Sequence, residues 1–167
     1  MDMLVDTVYE DARWEEFGLA DLSESAARAT LARLGLAPTG FSITVMGCDD
    51  NRIMGLNTEF RDKPKATNVL SWPSEERGAE YVGEMPELPE AGEADDPESL
   101  GDIAIAWETC MAEAVEQEKS ARDHVTHLMV HGVLHLLGFD HIEDEDAELM
   151  EGLEVEILAS MGIDDPY

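Results

Sequence analysis

The 167-residue chain lacks most of what would tie it to a membrane, cross-link it or make it basic. No apolar run approaches the roughly 20 residues that a bilayer-spanning helix requires. Arg13 and Arg28 are the only bases among residues 1–30, and no positively charged start precedes an apolar stretch, so a secretory signal is not expected. The two cysteines, Cys48 and Cys110, show no paired spacing. That argues against a disulfide framework and suits a reducing compartment, with the cytoplasm as the expected location. Bases are also scarce, ten against 39 acids, for a net charge of −29. Taken as a total, this charge speaks against nucleic acid as a partner, because phosphates would be repelled.

The distribution is more informative than the total. Residues 74–99 hold ten acids against Arg77 alone, and residues 143–165 hold ten acids and no base. Both read as solvated surface, the first as a long acidic loop. Four of the ten bases, Arg52, Arg61, Lys63 and Lys65, fall within one short stretch, the one place where a polyanion could land. With 44% hydrophobic and 29% charged residues, the chain reads as one domain over residues 1–167, long enough to bury a core unaided.

Periodicity sets the order of elements. Strands are expected at residues 3–9, in the alternating "GFSITVMG", in "ATNVLSWP" up to Pro73, and in "GDIAIAW". Helices are expected in "DLSESAARATLARLG", in "DDNRIMGLNTEFR", at about residues 108–118 and 122–137, and at about 145–161. Strands and helices interleave over short connections, which predicts an α+β or α/β class with one mixed sheet packed by helices.

The chemistry concentrates in residues 129–144, "MVHGVLHLLGFDHIED". On a helix turning about 100° per residue, His124, His127, His131 and His135 share one stripe, opposite Val125, Met129, Val133 and Leu136. His131 and His135, at i and i+4, stand one above the other within reach of a single ion. Gly138 provides a helix stop, after which the chain can bring His141 back to the pair. Two ligands from a helix and one from the turn beyond it leave a fourth tetrahedral position open, as in catalytic rather than structural zinc sites. Neutral imidazoles leave the ion its full charge, which can lower the pKa of bound water to about 7. Asp140 is a candidate for orienting one ligand. His124 and His127 read more simply as hydrogen-bonded core residues. The rival set His127, His131, His135 spreads over about 12 Å of helix axis, too far to converge on one ion.

Zinc peptidases place a glutamate base after the first histidine, in H-E-x-x-H, but Gly132 stands here and cannot act as a base. At this point the sequence resembles the YbeY family of bacterial rRNA maturation factors. "HGVLHLLGFDH" fits the family's H-G-x-L-H-L-x-G-x-D-H signature, and "LNTEFRDKPKATNVLSWP" fits its L-N-x-x-x-R…T-D-V-L-S-F-P stretch. "GDIAIA" is similar to its G-D-I-x-I-S strand, and "EVEILASMGIDDPY" to its C-terminal helix and tail.

The resemblance implies a metalloprotease-like (metzincin-like) core whose central helix carries the histidines. It implies one zinc per chain on His131, His135 and His141, and single-strand endoribonuclease activity in 3′-end maturation of 16S rRNA and ribosome quality control. Arg61 occupies the family's arginine position, where a guanidinium near the metal could grip a phosphate and stabilise developing charge. Lys63 and Lys65 follow and could position backbone phosphates. Implied partners are ribosomal RNA, the small ribosomal subunit, ribosomal proteins and a ribosome-associated GTPase, with no membrane. The chain departs from the pattern at Asn68, Trp72 and Ala106, where the family has aspartate, phenylalanine and serine. Asn68 cannot be a base. The segment around residues 80–98 is longer than the family usually carries. The alternatives are a metallopeptidase and a non-catalytic, zinc-stabilised assembly factor.

Overall fold

A computed structural model describes residues 4–75, 77, 81–93 and 95–167. Strand β1 (Val5–Tyr9) lies parallel to β2 (Phe41–Cys48). The chain then forms β3 (Val69–Pro73) and β4 (Glu98–Ala106), and β4 runs parallel to β2 with β3 antiparallel on its outer side. The sheet order is β1-β2-β4-β3, so β3 is an edge strand. This is the α+β class with a single mixed sheet that the pattern of elements predicts. Along β2, Phe41, Ile43 and Val45 are buried while Ser42, Thr44 and Met46 are half-buried. That period of two places the first set in the larger core and leaves the second on a more open face.

Among the described residues six helices pack this sheet: α1 (Arg13–Phe17), α2 (Leu19–Arg33), α3 (Asp50–Arg61), α4 (Trp107–Glu116), α5 (Ala121–Leu136) and α6 (Asp144–Ser160). Alternation along β4 divides the interior in two. Ile103 and Ile105 join the large core built with α2, α5 and α6. Ala104 and Ala106 join a smaller core with Ile53 and Leu56 of α3. Caps fix where the helices begin. Asp49 accepts from the Arg52 N–H at 2.8 Å to start α3, and Ser120 accepts from the Asp123 N–H at 3.1 Å to start α5.

Three details differ from the sequence expectation. The single-turn α1 is too short to show periodicity; it exists because Trp14 is fully buried and donates from Nε1 to the Cys48 carbonyl at 2.9 Å. Trp107 opens α4 rather than ending a strand, and β4 begins at Glu98, taking residues from the acidic segment. The Ala106 cap position offers no side-chain acceptor to α4, and Asp50 supplies one instead, accepting from the Thr109 N–H at 3.0 Å. Among the described residues, no helix is long and apolar enough to cross a membrane.

The histidine helix lies at the centre. Val125, Met129, Val133 and Leu136 have no exposed surface, and α5 packs against α2, α4, α6 and β3. Gly132 faces the sheet closely, since a Cβ there would lie 3.1 Å from Ile103 Cδ1. Glycine at this position therefore reflects packing. A glutamate would have to drive its carboxylate into the Ile103 side of the core, without a partner.

Candidate metal centre

Helix α5 ends in a pair of bonds that set up the third histidine. The Gly138 N–H donates to the His135 carbonyl at 3.1 Å, and the Phe139 N–H donates to the Leu134 carbonyl at 3.1 Å, which together form a Schellman stop. Gly138 has φ +103°, and a Cβ on it would fall 2.3 Å from the Arg77 carbonyl oxygen, so the turn tolerates only glycine for two independent reasons. Asp140 then accepts from the His141 backbone N–H at 2.7 Å. This carboxylate fixes the backbone that carries His141; it makes no hydrogen bond to an imidazole.

The chain reversal brings His141 to its companions. Ring centroids are 5.5 Å apart for His131–His135, 5.0 Å for His131–His141 and 5.6 Å for His135–His141. One nitrogen from each lies within 4.8 Å of the others, a set that could hold a metal ion. Among the described residues no other group of histidine, cysteine or carboxylate side chains meets this condition. Burial, together with the neighbouring His131, His141 and Arg61, pushes His135 down to about 4. Its ring is therefore neutral at pH 7, the state a metal requires.

A residue that sequence reasoning passed over sits behind the set. Glu154 of α6 is fully buried. Burial opposes its charge, but hydrogen bonds from His127 and His131 prevail and hold its carboxyl down to about 2. An ionised carboxylate only accepts. His131 Nδ1 must therefore donate to Oε1, at 3.1 Å, leaving Nε2 bare for a metal. His127 Nε2 meets the same oxygen at 2.9 Å. The Tyr167 hydroxyl donates to the other oxygen, also at 2.9 Å. The Lys119 ammonium donates to the Pro166 carbonyl at 3.0 Å and so helps hold the tail that carries Tyr167. The available signal was a lone acid at a core-facing position of α6, hidden among many surface acids.

Neither remaining helix histidine joins the metal set. His127 pairs with Glu154, and His124 Nε2 meets Glu113 Oε1 at 3.0 Å. Asn68 belongs to the second network, donating from Nδ2 to Glu113 Oε1 at 3.0 Å. An aspartate there would set two carboxylates against each other, so the asparagine suits its neighbour in this chain. Arg77, the one base of the acidic segment, is also structural. Its guanidinium donates to the carbonyls of Leu136 at 3.1 Å and Leu100 at 3.2 Å, tying that segment to the end of α5. A positive charge at a helix C-terminus is favourable in itself.

The triad opens into a cleft of about 520 Å³ between α5, β3 and the end of α3. Arg61, Lys63, Lys65 and Ser71 line it together with the three histidines. The Arg61 guanidinium donates from Nη2 to the Ser71 carbonyl at 2.9 Å, which holds it over the edge strand. Among the described residues no aspartate or glutamate lines this cleft, although the chain carries 39 of them. Its lining therefore carries three cations and, among the described residues, no acid.

Comparison with known proteins agrees with this geometry. The family model described as Endoribonuclease YbeY matches residues 6–162. A protein named Endoribonuclease YbeY from Cereibacter sphaeroides is 60% identical over the full length of both chains. One of the same name from Azorhizobium caulinodans is 45% identical over 99% of this chain and 96% of its own. The solution structure of TM1509 from Thermotoga maritima shares the fold, with a TM-score of 0.56 at 19% identity, covering 95% of this chain and 91% of that one. The chain belongs to the Endoribonuclease YbeY family.

Proposed function

We propose that this chain is a zinc-dependent, single-strand-specific endoribonuclease that acts in late 3′-end maturation of 16S rRNA and in ribosome quality control. The observation that carries the reading is the cleft with three cations and, among the described residues, no acid, beside a three-imidazole set. The names of its relatives point the same way. The donor set fits zinc: three nitrogens, one of them held in the right tautomer by Glu154 and another kept neutral by burial. When bound on His131, His135 and His141, zinc supplies Lewis acidity beside the phosphodiester.

The remaining roles belong to the chain. Arg61 grips the scissile phosphate and stabilises the charge that develops on it. Lys63 and Lys65 hold flanking phosphates and orient the strand. A peptide substrate is disfavoured because Gly132 offers no side chain as the peptidase base, a longer side chain there would press on Ile103, and among the described residues no carboxylate lines the cleft. In this reading residues 1–167 work as one domain in the cytoplasm. Away from the cleft the net charge of −29 repels RNA, so recruitment to the small ribosomal subunit relies on ribosomal proteins and a ribosome-associated GTPase.

The test is cleavage of a single-stranded RNA by the zinc-loaded protein, compared with Arg61→Ala and His135→Ala, with zinc content measured on each. The expected result is loss of cleavage in both variants, with zinc retained in Arg61→Ala and lost or weakened in His135→Ala. Full cleavage by either variant overturns the assignment.

A further inference from the structure

We propose that Phe60 and Trp72 form a stacking ledge beside the metal cleft, which receives one base of a single-stranded RNA whose phosphates lie along Arg61, Lys63 and Lys65. The inference rests on the RNA reading above. It adds the group that grips a nucleotide away from the scissile bond.

Phe60 is 59% exposed, although an aromatic ring of that size is normally covered. It is nevertheless held in place. Its centroid lies 5.9 Å from that of Trp72 with the planes at 71°, so the tryptophan braces it edge to face and the outer side of the phenyl stays open. Beneath the pair, Met46, Leu56 and Ile103 line a groove of about 420 Å³, roomy enough for a nucleobase.

The ledge is joined to the cations. Phe60 immediately precedes Arg61, and Arg61 donates to the carbonyl of Ser71, the residue before Trp72. One hydrogen bond thus couples the end of α3 to β3 and brings two rings and a guanidinium to the same rim. Among the described residues the ammonium groups of Lys63 and Lys65 have no hydrogen-bond or ion-pair partner, so they are free to take phosphates.

Charges divide the labour between ledge and cleft. The groove beneath the ledge contains exposed Asp102, and among the described residues its one cation, Arg52, reaches Glu10 at 3.3 Å. It therefore offers nothing to a phosphate and suits the uncharged ring of a base. The cleft on the other side of β3 offers cations and, among the described residues, no acid. Aromatic faces for bases, alternating with cations for the backbone, are what sequence-tolerant binding of a single strand requires.

The experiment measures binding of a labelled, single-stranded 2′-O-methyl oligonucleotide to the full-length zinc-loaded protein by fluorescence anisotropy. Phe60→Ala is expected to weaken binding by about 5- to 150-fold, the range for loss of one base–aromatic stack. Phe60→Tyr is expected to bind like wild type. Replacing bases one at a time by abasic sites should reveal one position whose loss matters in wild type and is silent in Phe60→Ala. Unchanged binding by Phe60→Ala, or an abasic penalty that persists in it at every position, overturns the ledge while leaving the RNA reading intact. Absence of any oligonucleotide binding by wild type overturns the RNA reading and the ledge with it.

Discussion

Replacing Glu154 by glutamine isolates the charge behind the histidine triad. The carboxylate has no exposed surface and accepts from His127, His131 and Tyr167 at 2.9, 3.1 and 2.9 Å. A glutamine amide keeps the shape, its oxygen can still accept from both histidines, and its NH2 can face the tyrosine oxygen. What disappears is the negative charge that makes His131 a stronger ligand. Losses of this kind typically cost 10- to 100-fold in metal affinity, or about 1.5–3 kcal/mol. The assay is competition for zinc against a chromophoric chelator at pH 7, with circular dichroism to confirm the fold. Acid stability of the metal-free protein gives a second, independent readout. The Glu154 carboxyl falls from 4.5 to about 2 on folding. Because the folded value is the lower one, the stabilisation is fully present above about pH 4.5 and is lost as pH falls towards about 2. It amounts to about 3 kcal/mol across that window. Glu154→Gln should show a flatter stability curve there. Unchanged zinc affinity together with an unchanged acid limb would refute the role assigned to this residue.

In the metal-free protein, the His135 imidazole should titrate with a midpoint near 4 by NMR, because burial and its neighbours disfavour the cation; a midpoint at the ordinary 6.5 would mean the ring is solvated. Arg77→Ala strips the donor from two backbone carbonyls at the end of α5 and on β4. It should cost about 2–3 kcal/mol in denaturant unfolding and also weaken zinc binding, although Arg77 touches no ligand; stability equal to wild type contradicts the anchoring role. Gly132→Glu, which recreates the peptidase string, should destabilise the protein by about 3 kcal/mol or more and yield no peptidase activity. Peptide cleavage by that variant would show that the space next to Ile103 is not the obstacle.

Much of the fold was legible in the chain because its elements carry strong local signals. The alternation of β2 and the apolar side of the histidine helix both act within a few residues. Helix α1 escaped notice because its reason for existing, the burial of Trp14 against Cys48, lies 34 residues away in sequence. The acidic segment read as plain loop because the value of Arg77 depends on carbonyls 23 and 59 residues distant. Asn68 looked like a departure to be explained until Glu113, which it serves, came into view.

The candidate site divides along the same line. Spacing alone placed His131 and His135 on one helix face and put a turn before His141, because helical geometry and the conformational freedom of glycine are local properties. Three matters were left to tertiary structure. One is the identity of the partner that fixes the His131 tautomer, since a buried glutamate cannot be told from a surface one inside an acidic helix. Another is the gathering of Arg61, Lys63 and Lys65 in the cleft with no acid among the described residues, since net charge says nothing about where charge goes. The last is the reason for Gly132, since the distance from a helix to a sheet is set by how the two pack and is written in neither element alone.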